Sequence, residues 1–370
     1  MRISLKTELK LNNYQKTQLA KHAGVARHAW NWGLNLCKSI LDYNIEHPEA
    51  KLKFPSAIDL HKLLVKWVKS EHDWYYEVSK TSPQYALKHL SAAFTDFFKK
   101  KTIRGKPVGF PRFKRKGQQD SFTLEGTIKI DHRKIQLPKI GLLKTYEDLP
   151  TGLTPKTAII SRTAQRWFVS FSYEIDAQPT DKQRAVVGVD LGIKTLATLS
   201  SGETFANPQP YRTAERQLKR LQKAASRKVI GSNNRQKANQ KLAKQHAKVA
   251  NIRSYTLNKL TTHLAKNHGQ VVIEDLNVSG LMANHKLAKS ISDLGMYEFR
   301  RQLTYKCKLY GSKLITVNRF YPSSKTCSCC GHIQEMPLKE RVFNCSGCSI
   351  SIDRDLNAAL NLEHQAFILA

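Results

Sequence analysis

The sequence predicts a multidomain protein that combines an α/β domain with an all-helical block and a small antiparallel β block. Two Val-rich runs, at residues 186–190 and 271–274, each end in a carboxylate and are separated by helix-forming sequence, as in an α/β domain. Residues 121–175 alternate between apolar and polar side chains, which is the period of a half-buried strand. Residues 13–100 instead place apolar side chains at helical spacing.

The composition indicates an intracellular protein with a polyanionic partner. The chain of 370 residues carries 61 Lys and Arg against 29 Asp and Glu, a formal charge of +32, which exceeds what solubility requires. Because basic side chains that neutralise phosphates release counterions, nucleic acid is the expected partner. The basic residues are spread over the chain instead of forming one amphipathic segment, which disfavours a membrane surface. We also expect no signal sequence and no membrane span, since no apolar run is suitable.

The first strand of the β block is separated in sequence from its partners. Residues 2–10 alternate in polarity but run directly into helical sequence, so this strand has no adjacent hairpin mate. Two hairpins follow later, in which residues 127–130 face 134–137 and residues 158–161 face 167–173. We therefore expect an antiparallel barrel or sheet that includes the N-terminal strand and has the helical block inserted into it.

The helical block is predicted to contain three helices, at residues 15–37, 60–74 and 83–98. Basic residues then alternate with phenylalanine at residues 99–116, a composition that suits phosphate contact and base stacking. A solvated linker is the alternative for this segment, but it would leave the aromatic rings in water.

The α/β domain is organised around Asp190, at the end of its first buried strand. A bare carboxylate is costly to bury, so Asp190 needs either a charged partner or a metal ion. Gly188 and Gly192 flank it, and their lack of side chains would let a phosphate backbone and metal ions approach. The second buried strand also ends in a carboxylate, Glu274, which makes it the first candidate for a companion.

Further elements complete the alternation of strands and helices. Residues 211–266 are basic and helix-forming with a break at 231–234, which predicts a long helical hairpin. Its basic faces either line a nucleic-acid channel or face solvent. Residues 287–309 predict one amphipathic helix, and residues 313–317 predict a short strand.

Four cysteines near the C-terminus have the spacing of a zinc ribbon. Cys327 and Cys330 form one Cys-x-x-Cys pair, and Cys345 and Cys348 form a second. Four thiolates at this separation can surround Zn²⁺ tetrahedrally and stabilise a segment too small to have its own core. Cys329 is surplus to this set. A structural zinc ion has no open coordination position, so we assign it a role in folding only.

Two acidic residues follow the ribbon directly. Asp353 and Asp355 precede a helix-forming run, where either carboxylate could serve simply as a cap or a first-turn charge. A third acid brought near Asp190 and Glu274 would explain more, because three carboxylates can hold two divalent cations that activate water against a phosphodiester. In a chain this basic, phosphodiester hydrolysis is the chemistry that fits.

Several motifs together resemble one family, the TnpB proteins, which are the OrfB proteins of IS200/IS605-type insertion sequences and are similar to the ancestors of type V CRISPR effectors. An N-terminal helical signature is present at residues 27–32. The other motifs are Gly188-Val189-Asp190-Leu191-Gly192-Ile193-Lys194, Ile273-Glu274-Asp275-Leu276, Tyr321-Pro322-Ser323-Ser324-Lys325-Thr326-Cys327 and Asp353-Arg354-Asp355-Leu356-Asn357-Ala358-Ala359. The resemblance extends over essentially the whole chain.

The resemblance implies an RNase H-like RuvC domain with an inserted zinc ribbon, preceded by a wedge β-barrel with an inserted helical recognition lobe. The implied boundaries are 1–12 and 102–182 for the wedge barrel, 13–101 for the recognition lobe, 183–322 for the RuvC-like domain with its basic helical hairpin, 323–350 for the ribbon that binds target nucleic acid, and 351–370 for the RuvC C-terminal helix.

The resemblance also implies the site residues. Asp190, Glu274 and Asp355 would be the catalytic acids that bind Mg²⁺ or Mn²⁺. Asp355 is preferred to Asp353 because the last acid of the family is followed two residues later by asparagine, here Asn357. The zinc ligands would be Cys327, Cys330, Cys345 and Cys348. Ser349 departs from the family, in which glycine commonly follows the second knuckle.

The implied activity is RNA-guided DNA cleavage. Guide RNA from the transposon end and double-stranded target DNA would be the partners of a monomeric chain in the prokaryotic cytoplasm, associated with the nucleoid and not with a membrane. A short transposon-adjacent motif would be read by the helical lobe, where Lys80 and Gln84 lie four apart on one helical face.

Two alternatives belong to other functional classes. A nuclease-inactive, RNA-guided DNA-binding repressor of the same fold would be expected to lack an acid, whereas all three positions are filled here. A transposase proper is disfavoured because the chain has no His-hydrophobic-His pair, and because the order Asp, Glu, ribbon, Asp differs from the usual Asp, Asp, Glu.

Overall fold

The computed structural model describes residues 1–103, 106–337 and 339–368. The predicted basic segment at 99–116, the predicted ribbon and the predicted C-terminal helix therefore lie partly outside the described residues, at 104–105, 338 and 369–370. The chain forms two compact units, Arg2–Ile175 and, together with Met1, Asp176–Ala370. Of the helices in the described ranges, none is both long enough and apolar enough for a bilayer span.

In its described residues, the N-terminal unit contains a seven-stranded sheet, a separate two-stranded sheet and three α-helices. The helices are α1 (Asn13–Glu46), α2 (Ala57–Leu64) and α3 (Thr81–Phe98). The strands are β1 (Arg2–Lys10), β2 (Thr102–Ile103), β3 (Lys106–Pro107), β4 (Ser121–Glu125), β5 (Lys129–Asp131), β6 (Lys134–Leu137), β7 (Gly141–Thr145), β8 (Thr157–Thr163) and β9 (Arg166–Glu174).

The N-terminal strand finds its partners more than a hundred residues later, as predicted. Strand β1 pairs antiparallel with β9, from Arg2 opposite Glu174 to Glu8 opposite Phe168, and also with β7. The resulting seven-stranded sheet has the order β4-β8-β9-β1-β7-β6-β5. Both predicted hairpins form, and the second turns at Ala164 and Gln165, whose positive φ angles of 49° and 72° suit a two-residue hairpin loop.

The helices of this unit depart from prediction at two places. The helix expected over residues 60–74 is not continuous, because α2 passes into a π-helical turn at Val65–Lys69 and a separate 3₁₀ turn follows at Asp73–Tyr75. Helix α1 begins with a capping box, in which the Asn12 side chain accepts from the Gln15 backbone and Gln15 bonds back to Asn12. It runs unbroken for 34 residues, longer than the predicted 15–37.

The C-terminal unit contains a second sheet, six helices and a small two-stranded ribbon. The strands are β10 (Arg184–Asp190), β11 (Thr195–Leu199), β12 (Thr204–Ala206), β13 (His268–Glu274), β14 (Lys313–Val317), β15 (Val342–Asn344) and β16 (Ser351–Asp353). The helices are α4 (Pro210–Ser226), α5 (Asn233–Asn267), α6 (Val278–Ala283), α7 (Ala288–Leu294), α8 (Met296–Tyr310) and α9 (Arg354–Ile368).

The second sheet has five strands in the order β12-β11-β10-β13-β14. Strands β10, β13 and β14 are parallel, whereas β11 and β12 run antiparallel to their neighbours. Apolar side chains cover both faces: Val187, Val189 and Ile273 pack with α5 and α8, whereas Val186 and Val272 pack with α9. This arrangement is the mixed α/β domain that the sequence predicts.

The helical connections confirm one prediction and correct another. The basic hairpin forms as α4 and α5, with the break at residues 227–232, slightly earlier than the predicted 231–234. The helix predicted at 287–309 is instead two helices, α7 and α8, because Gly295 between them adopts the left-handed conformation at φ 68°.

Candidate functional site

Asp190 and Glu274 lie side by side at one edge of the C-terminal sheet. Each is the last residue of its strand, and β10 and β13 are parallel neighbours with Val189 opposite Ile273. Adjacent strands are about 4.8 Å apart, and residues in register point to the same face. The two carboxylates predicted from sequence are therefore neighbours on adjacent strands and extend from the same face of the sheet.

Helix α9 packs directly on the face that carries these carboxylates. A Cβ at Gly188 would overlap the carbonyl oxygen of Ala359 and lie 2.6 Å from the backbone nitrogen of Glu363. The absence of a side chain at Gly188 thus allows the backbone of α9 to pack against β10. The expectation that this glycine leaves room for a phosphate is wrong. Asp190 lies two residues further along the same strand and therefore on the same face as Gly188.

The same packing brings the third acid into the site. Asp355 is four residues, about one turn, before Ala359 on α9, so it projects from the same side of the helix. A Cβ at Gly192 would lie 4.0 Å from Asp355 Oδ2, which places this carboxylate beside the loop that follows Asp190. The structure thus brings Asp190, Glu274 and Asp355 to one end of the sheet.

Gly188 offers a direct test of this packing. We expect Gly188→Ala to lower the free energy of unfolding of the C-terminal unit by about 3 kcal/mol, since the added methyl meets backbone that cannot move aside. Denaturant unfolding measures the change. Gly109→Ala, in the N-terminal unit, is the control for an uncrowded glycine, because a Cβ there meets nothing within 4 Å and the C-terminal unit should unfold as in the wild type. Equal stability of the two variants would contradict the close approach of α9.

Asp353 and Asp355 have different roles in the structure. Asp353 Oδ1 accepts hydrogen bonds from the backbone nitrogens of Asp355 and Leu356 at 2.9 and 3.0 Å, so Asp353 caps the N-terminus of α9. Asp355 lies in the first turn of that helix, half-buried, with Arg341 Nη1 3.8 Å from its Oδ1. The capping role considered for either residue therefore falls to Asp353.

The neighbouring acid Asp275 is already paired. Arg300 and Arg319 both donate to its carboxylate, and these two guanidinium groups hold the pKa of Asp275 below its ordinary value, with Arg319 the larger cause. Of the adjacent pair at the end of β13, Glu274 is therefore the acid available for other chemistry.

The remaining acids, Asp190, Glu274 and Asp355, lie close enough for their negative charges to repel one another. Burial, the Glu274 carboxylate and the Asp355 carboxylate together raise the pKa of Asp190 to about 7, although Arg354 opposes them. Burial also raises the pKa of Glu274, while Ser323, which donates its hydroxyl to Glu274 Oε1, lowers it. Clustered carboxylates with raised pKa values fit a cation site, because a divalent ion would supply the missing positive charge.

The four predicted cysteines form a second candidate metal centre. Cys327, Cys330, Cys345 and Cys348 place all their sulfur atoms within 4.8 Å of one another, the one such group of metal-ligating side chains in the described part of the chain. The Cys327–Cys348 and Cys330–Cys345 sulfur pairs are 3.7 and 3.6 Å apart. A tetrahedron with Zn–S bonds of about 2.3 Å has edges of about 3.8 Å, so the cluster fits Zn²⁺. Asp190, Glu274 and Asp355 do not form such a group among the described residues.

The two knuckles of the ribbon have the same backbone conformation. Gly331 and Ser349 each follow the second cysteine of a pair, with positive φ angles of 74° and 59°. Their backbone nitrogens donate to the carbonyl oxygens of Cys327 and Cys345 at 3.0 and 3.1 Å. Ser349 therefore occupies a left-handed position that glycine adopts more easily. Cys329 is exposed and lies outside the cluster.

Two buried asparagines attach the ribbon to α9, and sequence reasoning did not single them out as functional. Asn357 accepts from the Ser328 nitrogen and donates to the Thr326 carbonyl, at 2.9 and 2.7 Å. Asn361 donates to the carbonyls of Ser323 and Thr326 at 2.8 and 2.6 Å. Two asparagines four residues apart on an otherwise apolar helix face are the feature of the sequence that could have identified them.

Lys80 and Gln84 belong to the other unit, where the structure places them at the start of α3. Lys80 is the residue that precedes the helix, and Gln84 lies in its first turn. Both side chains are exposed. Their role in reading DNA stays a prediction.

Comparison with known proteins identifies the family. The OrfB family model of IS605-type elements, described as "Probable transposase", matches residues 170–285. A model described as "Cas12f1-like, TNB domain" matches residues 297–362, which include the cysteine cluster. A model described as "Helix-turn-helix domain" matches residues 1–44, where the structure has strand β1 and the continuous helix α1.

Two bacterial relatives align over most of the chain. A Streptomyces pristinaespiralis protein named "Putative RNA-guided DNA endonuclease" is 39% identical over 83% of this chain and 77% of its own. A protein of Escherichia coli K12 with the same description is 32% identical over 97% and 91%. The solved structure "Cryo-EM structure of CasPhi-2 (Cas12j) bound to crRNA" covers 99% of this chain and 98% of its own at 10% identity, with a TM-score of only 0.42. On the sequence relatives and the family model, the chain belongs to the OrfB family of IS605-type transposons, which includes the TnpB-like proteins.

Proposed function

We propose that this protein is an RNA-guided DNA endonuclease encoded by an insertion sequence. The observation that carries the proposal is the convergence of Asp190, Glu274 and Asp355 at one end of a sheet, in a chain with a net charge of +32. Relatives whose own names describe guided DNA endonucleases support the same activity. Family membership and site chemistry thus point to one reaction, hydrolysis of target DNA phosphodiesters.

The topology of the C-terminal unit supports an RNase H-like, RuvC-type domain. Counted from β10, its sheet has the order 3-2-1-4-5, with two antiparallel strands on one side and two parallel strands on the other. This mixed sheet, with helices on both faces, is compatible with the RNase H-like domain that the family resemblance implies. We propose in addition that the N-terminal unit is the wedge barrel with its inserted recognition lobe. The six segments predicted from sequence are then the proposed parts of this unit and of the nuclease unit.

The carboxylates are the proposed ligands of Mg²⁺ or Mn²⁺. Such ions, when bound, would activate a water molecule and stabilise the leaving oxygen of the phosphodiester. The chain's own contribution is positional: β10 and β13 fix Asp190 and Glu274, α9 carries Asp355, and the Ser323 hydroxyl orients Glu274. Arg300 and Arg319 already neutralise Asp275, so this acid is not among the proposed ligands.

The ribbon cysteines are the proposed ligands of a structural Zn²⁺. This ion would hold a segment whose own core is small, with Met336 and Phe343 as its buried apolar side chains. Because Asn357 and Asn361 bond the ribbon to α9, the zinc site also steadies the helix that carries Asp355.

The proposed partners are a guide RNA from the transposon end and double-stranded target DNA, bound by one copy of the chain in the prokaryotic cytoplasm at the nucleoid. Lys80 and Gln84 are the proposed readers of the transposon-adjacent motif, since both are exposed at the start of one helix of the proposed recognition lobe. Phosphate contacts by the excess Lys and Arg would supply most of the salt-dependent affinity.

Co-purification tests this function. The protein is purified from cells that carry its native locus, and the bound RNA is sequenced; we expect one discrete RNA from the transposon end. The resulting complex is then given plasmids with and without a sequence matched to that RNA, in Mg²⁺. We expect cleavage of the matched plasmid alone. A protein without discrete RNA, or one that cuts both plasmids equally, would not be a guided nuclease.

A further inference from the structure

The loop that follows β14 contains an unusually exposed aromatic side chain. Phe320 is 85% exposed, more than any other large hydrophobic side chain in the described residues. Strand β14 ends at Val317, which pairs with Glu274, and the backbone nitrogen of Asp275 donates to the Val317 carbonyl at 3.0 Å. The loop therefore begins at the level of the proposed catalytic site.

This loop is held at both ends and turned in the middle. The Asn318 side chain accepts from the Phe320 nitrogen at 2.9 Å, and the Asn318 carbonyl accepts from the Tyr321 nitrogen at 3.0 Å. Tyr321 packs against the apolar cluster beneath α9, and the Ser323 hydroxyl donates to Glu274. Phe320 therefore projects from an ordered turn between two anchored residues.

The chain between this residue and the site is short. Phe320 is three residues from Ser323, which touches Glu274, and three extended residues span about 10 Å. A stacked nucleotide advances about 3.4 Å along its strand, so this chain span corresponds to roughly three nucleotides, and a base on the ring would lie a few nucleotides from the carboxylates.

The chemistry around the ring suits a nucleic-acid strand. Arg319 precedes Phe320 directly, and its guanidinium, like that of Arg300, is half-exposed while it bonds to Asp275. Exposed cations beside an exposed ring combine phosphate attraction with a flat apolar surface, the combination that binds unpaired bases without reading their sequence. A protein partner would more often cover a larger apolar patch than one ring.

We propose that Phe320 is a stacking platform for an unpaired base of the DNA strand that enters the carboxylate centre. This inference rests on the proposed guided cleavage, because pairing of a guide RNA with one DNA strand leaves the other strand unpaired. The stacked base would fix the register of the strand, so that one phosphodiester lies at Asp190, Glu274 and Asp355. Ser323 and Phe320 would then act from one loop, the first on the catalytic acid and the second on the substrate.

The test uses the intact protein with its RNA. We compare Phe320→Ala, Phe320→Trp and Phe367→Ala, the last being the control. Phe367 is also exposed, at 71%, but is 12 residues from Asp355 along α9, or about 18 Å. Stacking on an aromatic side chain contributes roughly 5- to 150-fold in binding per base. We expect Phe320→Ala to slow cleavage of matched DNA by about tenfold, Phe320→Trp to restore it, and Phe367→Ala to leave it unchanged.

An abasic substrate separates stacking from a structural effect. Single abasic nucleotides are placed at each position around the mapped cut. At one abasic position, the cleavage rate of the wild type should fall to that of Phe320→Ala on intact DNA. The abasic site at that position should not slow Phe320→Ala any further. Additive losses at every position would overturn the inference, as would a Phe320→Ala complex that cuts normally or fails to retain its RNA. A wild-type complex that never cuts matched DNA would instead refute the proposed function.

Discussion

Asp190→Asn is expected to abolish cleavage of matched DNA and at the same time to make the metal-free protein more stable. The amide keeps the shape of the side chain but removes the negative charge that would hold the divalent cations. Loss of metal-assisted catalysis should lower the cleavage rate by at least about 1,000-fold. Guided DNA binding should persist, because the excess positive charge of the chain is unaffected.

The gain in stability follows from the direction of the pKa shift. The pKa of Asp190 is raised to about 7 in the folded protein, against an ordinary value of 3.8. The folded state then binds the proton more tightly than the unfolded chain, so this group lowers the free energy of unfolding as pH rises from about 4 to about 7. This difference in pKa corresponds to at most about 4 kcal/mol in the free energy of unfolding. Because Asp190 is partly exposed to solvent, which screens its charge, we expect an effect of about 1 to 2 kcal/mol.

Thermal unfolding at pH 5 and pH 8, in buffer that lacks Mg²⁺ and Mn²⁺ and contains no chelator that would remove the proposed zinc ion, measures this effect. The advantage of Asp190→Asn over the wild type should be larger at pH 8 than at pH 5, and added Mg²⁺ should stabilise the wild type alone. Asp275→Asn is the matched comparison, because Asp275 is paired with two arginines and should lose stability on substitution. A variant Asp190→Asn that still cuts matched DNA in Mg²⁺ would remove Asp190 from the catalytic site.

Cys345→Ser is expected to release the zinc ion and to impair cleavage as well. Structural zinc contributes about 10–16 kcal/mol in small zinc domains, so the ribbon should unfold locally without its ion. The first knuckle is bonded to α9 through Asn357 and Asn361, and Asn361 also holds Ser323, the partner of Glu274. Loosening the ribbon therefore disturbs two of the three carboxylates, and we expect cleavage to fall by about 100-fold.

Cys329→Ser is the control for this substitution, since Cys329 belongs to the same segment but lies outside the cluster. Metal analysis should find about one zinc ion per chain in the wild type and in Cys329→Ser, and almost none in Cys345→Ser. Hydrogen exchange should show loss of protection confined to the ribbon and the start of α9. Full cleavage by a zinc-free Cys345→Ser protein would show that the ribbon does not support the carboxylate site.

Much of the architecture was predictable because its signals are periodic or chemically specific. The alternation in residues 2–10 predicted a strand that lacks a local partner, and its pairing with β9 agrees. The spacing of Cys327, Cys330, Cys345 and Cys348 predicted their convergence, because few other arrangements use that pattern. Helix continuity was less predictable: Gly295 breaks one expected helix, and its effect depends on tertiary packing.

The amino-acid sequence by itself determined the identities of the acids and cysteines, the basic character of the chain and the type of each main element, since these depend on composition and on periods of two or 3.6 residues. Tertiary structure alone decided which residues meet. The approach of α9 to Gly188 brings Asp355 toward Asp190, whereas Asp353 caps the helix. Two arginines form ion pairs with Asp275, and Ser323 donates a hydrogen bond to Glu274. These outcomes depend on contacts between residues far apart in sequence, and no local pattern encodes such distances.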